Sequence, residues 1–240
     1  MFEARTYRDW VAKSGLVSFQ ALVRETDLQI RAHRDLRHHA EKLVVQARGQ
    51  IEREIARRPE FATSLSPLPL APSPEPVVRW MLEAGRAYDV GPMAAVAGAV
   101  ARHVGEGLLD RSPEVIVENG GDIYLRMDRP VEIGLYAGAD SPFSGTLRLR
   151  VDPRGAGLGV CCSSGTVGHS LSFGKADAVV TVAADAALAD AAATSLCNRV
   201  QTPDDIAKLL DAEKSRGLLK ALLITMGGRL GVFGEIEIVK

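Results

Sequence analysis

Hydrophobic and polar positions alternate from residue 17 onward. Val17, Phe19, Ala21 and Val23 share one strand face, Glu25-Thr26-Asp27 supplies a turn signal, and Leu28, Ile30 and Ala32 resume the alternation. This pattern predicts a hairpin. At Asp35, a candidate N-cap, the period lengthens: Leu36, Ala40, Leu43, Val44, Ala47, Ile51 and Ile55 recur at three- and four-residue steps, the stripe of a helix that ends before Pro59. Prolines at 59, 67, 69, 72, 74 and 76 then exclude a helix or central strand, so 59–76 is expected to be an extended strap. Val77 to Tyr88 predicts a short amphipathic helix. GPMAAVAGAVARHVGEGLLD, from Gly91, predicts a long helix whose alanines and glycines let another backbone come close.

The rest reads mainly as strands: 114–118, 122–127, 131–136, 146–151 and 178–183. Helices are expected at about 185–198 and 203–213, and ALLITM with EIEIV is expected to close the sheet. Strands in series followed by helices predict an α+β fold with a mixed, largely antiparallel sheet and packed helices, rather than a doubly wound parallel one. Residues 1–240 are expected to form one domain, with the strap between an N-terminal hairpin-helix part and the main part.

Composition changes this picture little. The chain is 46% apolar and 25% charged with a formal net charge of -1, which offers no general attraction for nucleic acid or an anionic membrane. The N-terminus is charged from its third residue and lacks a signal-peptide pattern, and no uninterrupted apolar run reaches membrane-spanning length. A cytoplasmic protein is expected. The three cysteines, Cys161, Cys162 and Cys197, form no disulfide framework.

Candidate chemistry lies in three stretches. CCSSGTVGHSLSFGKADA, from residue 161, has the glycines and lysine of a phosphate loop but not its spacing, since five residues separate Gly168 from Gly174 and Ala176 follows Lys175. GAGLG at 155–159 likewise misses the dinucleotide fingerprint. What remains is Ser163, Ser164, Gly165 and Thr166, whose hydroxyls and backbone N–H groups suit an anion, or else form a plain turn. Cys161 and Cys162, on a strand, point to opposite faces. In LADAAATSL, Asp190 and Thr194 share a helix face and offer oxygen ligands suited to Mg²⁺ completed by phosphate and water. The competing possibility is that Asp190 bonds nearby backbone and Thr194 faces the core. In ENGGDIYL, Asn-Gly-Gly between two strands is a hairpin-turn signal.

Taken together, YDVGPMAAVAGAVA, VENGGDIYL and CCSSGTVGHSLSFGKADAVVTVAADAALADAAATSLCN resemble the ApbE superfamily of FAD:protein FMN transferases, and resemble more closely an uncharacterised ApbE-like family of anaerobes. The resemblance runs over nearly the whole chain and implies the ApbE-like fold. It implies Mg²⁺ at Asp190 and Thr194. For FAD or a related nucleotide it implies a site shaped by Asn119, Gly120, Gly121, Asp122 and the Ser163–Thr166 segment, with His169 as the catalytic candidate. The implied partners are a small phosphate-bearing ligand and a protein. The pattern departs from the transferases at Ala97-Gly98, where they usually show Lys-Gly, and after His169, where they show Asp-Pro and Thr-Gly. FMN transfer itself is therefore not carried over. The close family also implies an alternative, a factor in sulfide assimilation and homocysteine formation that uses the three thiols or is noncatalytic.

Overall fold

The structure, a computed structural model, describes residues 15–70, 72–138, 141–166 and 173–239. It opens on the expected hairpin, β1 (Val17–Val23) and β2 (Thr26–Ala32), joined at Arg24 and Glu25 with Arg24 in the left-handed region at φ 52°. Helix α1 (Arg37–Arg57) follows, with Ala40, Leu43, Val44, Ala47 and Ile51 buried. Leu36, not Asp35, is its N-cap; the Asp35 carboxylate instead accepts the Arg37 N–H at 2.9 Å. The strap holds one short turn, α2 (Glu60–Thr63), before Pro76 opens α3 (Pro76–Tyr88). Proline suits that first position because its missing N–H would have no partner inside the helix.

Eight strands form one sheet in the order β1-β2-β3-β4-β7-β8-β9-β10, with β3 (Val115–Asn119), β4 (Asp122–Arg126), β7 (Leu158–Ser163), β8 (Ala178–Ala183), β9 (Ala221–Met226) and β10 (Arg229–Gly234). A second sheet, β11-β6-β5, joins β5 (Val131–Gly134), β6 (Arg148–Val151) and β11 (Glu237–Val239). Every ladder among the described residues is antiparallel. The small sheet covers one face of the large one. Helices α1, α3, α4 (Val96–Leu108), α5 (Ala186–Arg199) and α6 (Asp205–Arg216) pack on the other, completing an α+β fold.

The alanine-rich α5 lies innermost, between β7 and β8 on one side and α3 and α4 on the other. A helix whose small residues are buried on nearly every side belongs in such a place. Gly98 makes the closeness possible, because a Cβ there would lie 2.2 Å from the carbonyl oxygen of Ala186.

Two further readings of the sequence are corrected. EIEIV does not close the large sheet: β10, after the Gly227-Gly228 turn, does so, and Glu237–Val239 pairs with β6 in the second sheet. The helix predicted from Gly91 is divided into a 3-10 turn at Pro92–Ala95 and α4 from Val96. That division creates a second helix N-terminus beside α5.

Candidate functional site

The turn between β3 and β4 has both central residues at positive φ, Gly120 at 67° and Gly121 at 105°, as the Asn-Gly-Gly signal predicts. It is held from both sides of the sheet. The buried Glu118 carboxylate accepts the Gly121 N–H at 2.8 Å, and Asn119 Nδ2 donates to the Ala97 carbonyl at 3.1 Å. Strand alternation places Asn119 and Asp122 on the helix-covered face. Asp122 Oδ1 also accepts the backbone N–H of Cys162 in β7 at 3.2 Å.

Asp190 approaches from α5. The first N–H groups of a helix have no partner within it, and the break before Val96 exposes those of α4. Asp190 Oδ2 accepts the Gly98 N–H at 2.9 Å, so a carboxylate on one helix caps another at its electropositive end. One turn along α5, Thr194 Oγ1 lies 3.3 Å from Ser163 Oγ at the end of β7. Asn119, Asp122 and Asp190, distant in sequence, thus meet around the start of α4, and Ser163 and Thr194 meet one turn further along α5.

The electrostatics of this cluster are strained. Asp122 and Asp190 are buried, at 8% and 7% exposure, among alanines, glycines and valines. Burial drives both carboxyls well above the ordinary range, and repulsion from Asp190 raises Asp122 further, while the N–H groups of Ala97 and Gly98 partly offset the effect at Asp190. Two such groups resist ionising together.

Cysteine placement follows the expected alternation, with Cys161 facing the helices and Cys162 the second sheet. Burial, reinforced by the two aspartates, pushes the Cys161 thiol well up; burial, then Asp122, lifts Cys162 to about 12. Thiolate is the reactive form, so both sulfurs are held in the unreactive one. Cys197 is buried.

The serine-glycine segment is largely occupied with itself. Thr166 N–H donates to Ser164 Oγ at 3.1 Å, the hydroxyls of Ser164 and Thr166 lie 3.3 Å apart, and Gly165 N–H donates to the Ala176 carbonyl at 2.9 Å. The N–H groups expected to meet an anion at Gly165 and Thr166 are therefore already engaged. His169 lies outside the described residues. One contributor escapes a motif-based reading. The Gly98 N–H had no signal, because nothing in MAAVAG marks a second helix start.

The family profile described as AbpE bacteria matches residues 8–225. The chain belongs to this family. A UPF0280 protein of Methanococcus aeolicus is 41% identical over 202 residues, 82% of this chain and 81% of that protein. A UPF0280 protein of Methanothermobacter thermautotrophicus is 39% identical over 221 residues, covering 90% and 84% respectively. Solved structures share the fold. The apo flavinyl transferase ApbE of Pseudomonas stutzeri aligns with a TM-score of 0.56 at 12% identity, over 91% of this chain and 94% of that one. The flavin transferase ApbE of Vibrio cholerae gives 0.55 at 12% identity, over 90% and 96%. At that identity the likeness is one of fold: the chain has the ApbE fold.

Proposed function

We propose that this protein binds a flavin or another phosphate-bearing nucleotide together with Mg²⁺, around Asp122, Ser163, Asp190 and Thr194. The observation that carries the reading is the burial of two mutually repelling carboxylates beside two hydroxyls at a helix N-terminus. A divalent cation would offset that repulsion. The donors are hard oxygens, which suits Mg²⁺. No group of three or more His, Cys, Asp or Glu able to hold a metal occurs among the described residues, so phosphate oxygens and water would have to complete the shell, as is usual for this ion.

In this reading Asp190 and Thr194 hold the metal, with Asp122 and Ser163 beside them. Bound Mg²⁺ would supply Lewis-acid neutralisation of phosphate charge. The chain's own part is positioning. Gly98 and Asn119 fix Asp190 and the β3–β4 turn against the same end of α4, and a Cβ at Gly120 or Gly121 would meet nothing within 4 Å, so the turn tip leaves room beside it. The resemblance to proteins named flavin transferases adds weight to a flavin and to a protein as second partner. Ala97 brings no amine to the first turn of α4, so the reading stops at binding. The thiol-handling alternative rests on resemblance alone, and the protonated state of Cys161 and Cys162 favours binding over it.

Titration of the protein with FAD and with ADP, with and without Mg²⁺, tests the proposal. Binding should tighten about tenfold or more with the metal, equivalent to at least about 1.4 kcal/mol, and Asp190→Asn and Thr194→Val should each erase most of that increment. Failure of both nucleotides to bind, or binding indifferent to Mg²⁺ and to both substitutions, would overturn it.

A further inference from the structure

Phe173 is 60% exposed, yet the backbone around it is clamped. Its N–H donates to Asn198 Oδ1 at 2.8 Å and its carbonyl accepts Gln201 Nε2 at 2.9 Å. Two residues on, Lys175 N–H donates to the Val200 carbonyl at 2.8 Å, and the Ala176 carbonyl accepts the Gly165 N–H at 2.9 Å. A large aromatic ring held outward by a fixed backbone differs from one exposed on a fraying segment: its ordering cost is met before any ligand arrives.

The clamp also places it. Asp190, Thr194 and Asn198 recur every four residues along one face of α5, so the residue that anchors Phe173 lies one turn beyond Thr194 and two beyond Asp190. Each step is about 6 Å along the helix axis. The anchor of the Phe173 backbone thus sits about 6 Å along the helix beyond Thr194, an interval of the order of the sugar or sugar-alcohol spacer that separates the phosphate of a nucleotide from its ring.

We propose that Phe173 is the stacking platform for the planar heteroaromatic ring of the nucleotide whose phosphates meet Asp190 and Thr194. This rests on the binding reading above and assigns the ring subsite of the same ligand. Ring stacking is indifferent to hydrogen-bond pattern, so the platform accepts an isoalloxazine or an adenine, and the ligands compared below separate the two.

The test measures dissociation constants, with Mg²⁺ present, for FMN, ADP, FAD and inorganic pyrophosphate against the wild-type protein and Phe173→Ala, Phe173→Leu and Phe173→Trp. Truncation to Ala or Leu should weaken FAD, and whichever of FMN or ADP supplies the stacked ring, by about tenfold. Pyrophosphate should be unaffected, Trp should restore binding, and stacking on its indole should quench the fluorescence of a bound isoalloxazine. Equal weakening of pyrophosphate, Leu performing as well as Phe, or no change in any ring ligand would overturn the assignment while leaving the binding reading intact. A wild-type protein that binds none of the four would overturn the binding reading, and this one with it.

Discussion

The two faces of the eight-stranded sheet are buried with different materials. Toward the second sheet, Ile123, Leu125, Leu158, Val160, Val180 and Leu223 meet Val131, Leu147, Leu149 and Val151, a layer of branched aliphatic side chains. Toward α4 and α5 the contact is made by Gly98, Ala99, Ala186, Ala187, Ala189 and Cys161, with Asp122 and Asp190 buried among them. Large side chains hold backbones apart, whereas small ones let a carboxylate on one helix reach the N–H of another at 2.9 Å. Asp122 and Asp190 are buried where the packing is thinnest in side chain. The aliphatic layer contributes stability, and the small-residue patch under α4 and α5 holds groups whose burial opposes it, as is common where a site is built into a core.

Truncation on the aliphatic face should have the largest effect on folding. Leu149→Ala leaves a cavity between the sheets and should cost about 3 to 4 kcal/mol in denaturant unfolding. Nucleotide binding by the folded fraction should not change. An equal loss of binding would break the division of labour between the faces.

Adding volume to the small-residue face should come next. Gly98→Ala drives a methyl group into the Ala186 carbonyl and should cost about 2 to 3 kcal/mol, with loss of the Gly98 N–H contact to Asp190. A melting temperature equal to that of wild type would show that α4 and α5 separate easily.

Removing charge should act with the opposite sign. A carboxyl raised in the folded state above its unfolded value of about 3.9 loses its proton earlier in the unfolded chain, so it lowers stability progressively as pH rises from about 4 to its folded pKa, above which the loss is complete. Asp122→Asn and Asp190→Asn should therefore match wild type near pH 4 and exceed it by at least about 1 kcal/mol at pH 8 without metal, measured by thermal unfolding across pH. A gain at low pH that vanishes at high pH would reverse the sign and sink this account of the pair.

Much of the fold was legible where a local pattern had one interpretation. The β1–β2 hairpin, α1 with its stripe, the Asn-Gly-Gly turn and the β8 strand at 178–183 follow from periods of two or about four residues and from glycine's access to positive φ. The C-terminal strands were less legible. RLGVFG, with two glycines and an arginine, shows little alternation, and its place at the sheet edge comes from pairing with β9 through the Gly227-Gly228 turn. The candidate site divides the same way. Asp190 with Thr194 was visible as a spacing, and Asn119 and Asp122 entered only through the resemblance, but the meeting of Asn119, Asp122 and Asp190 at the start of α4 was not visible.

By itself, the sequence determined most of the helix, strand and turn segments, which of their faces are apolar, and that Asp190 and Thr194 share a face, because each depends on neighbours a few positions away. The tertiary structure alone decided that Asp190 caps α4, that Asp122 is repelled by Asp190, that Ser163 meets Thr194, and that Asn198 holds Phe173 outward. Those relations join residues from 25 to 92 positions apart, and only the packing of small residues brings their backbones close enough to form them.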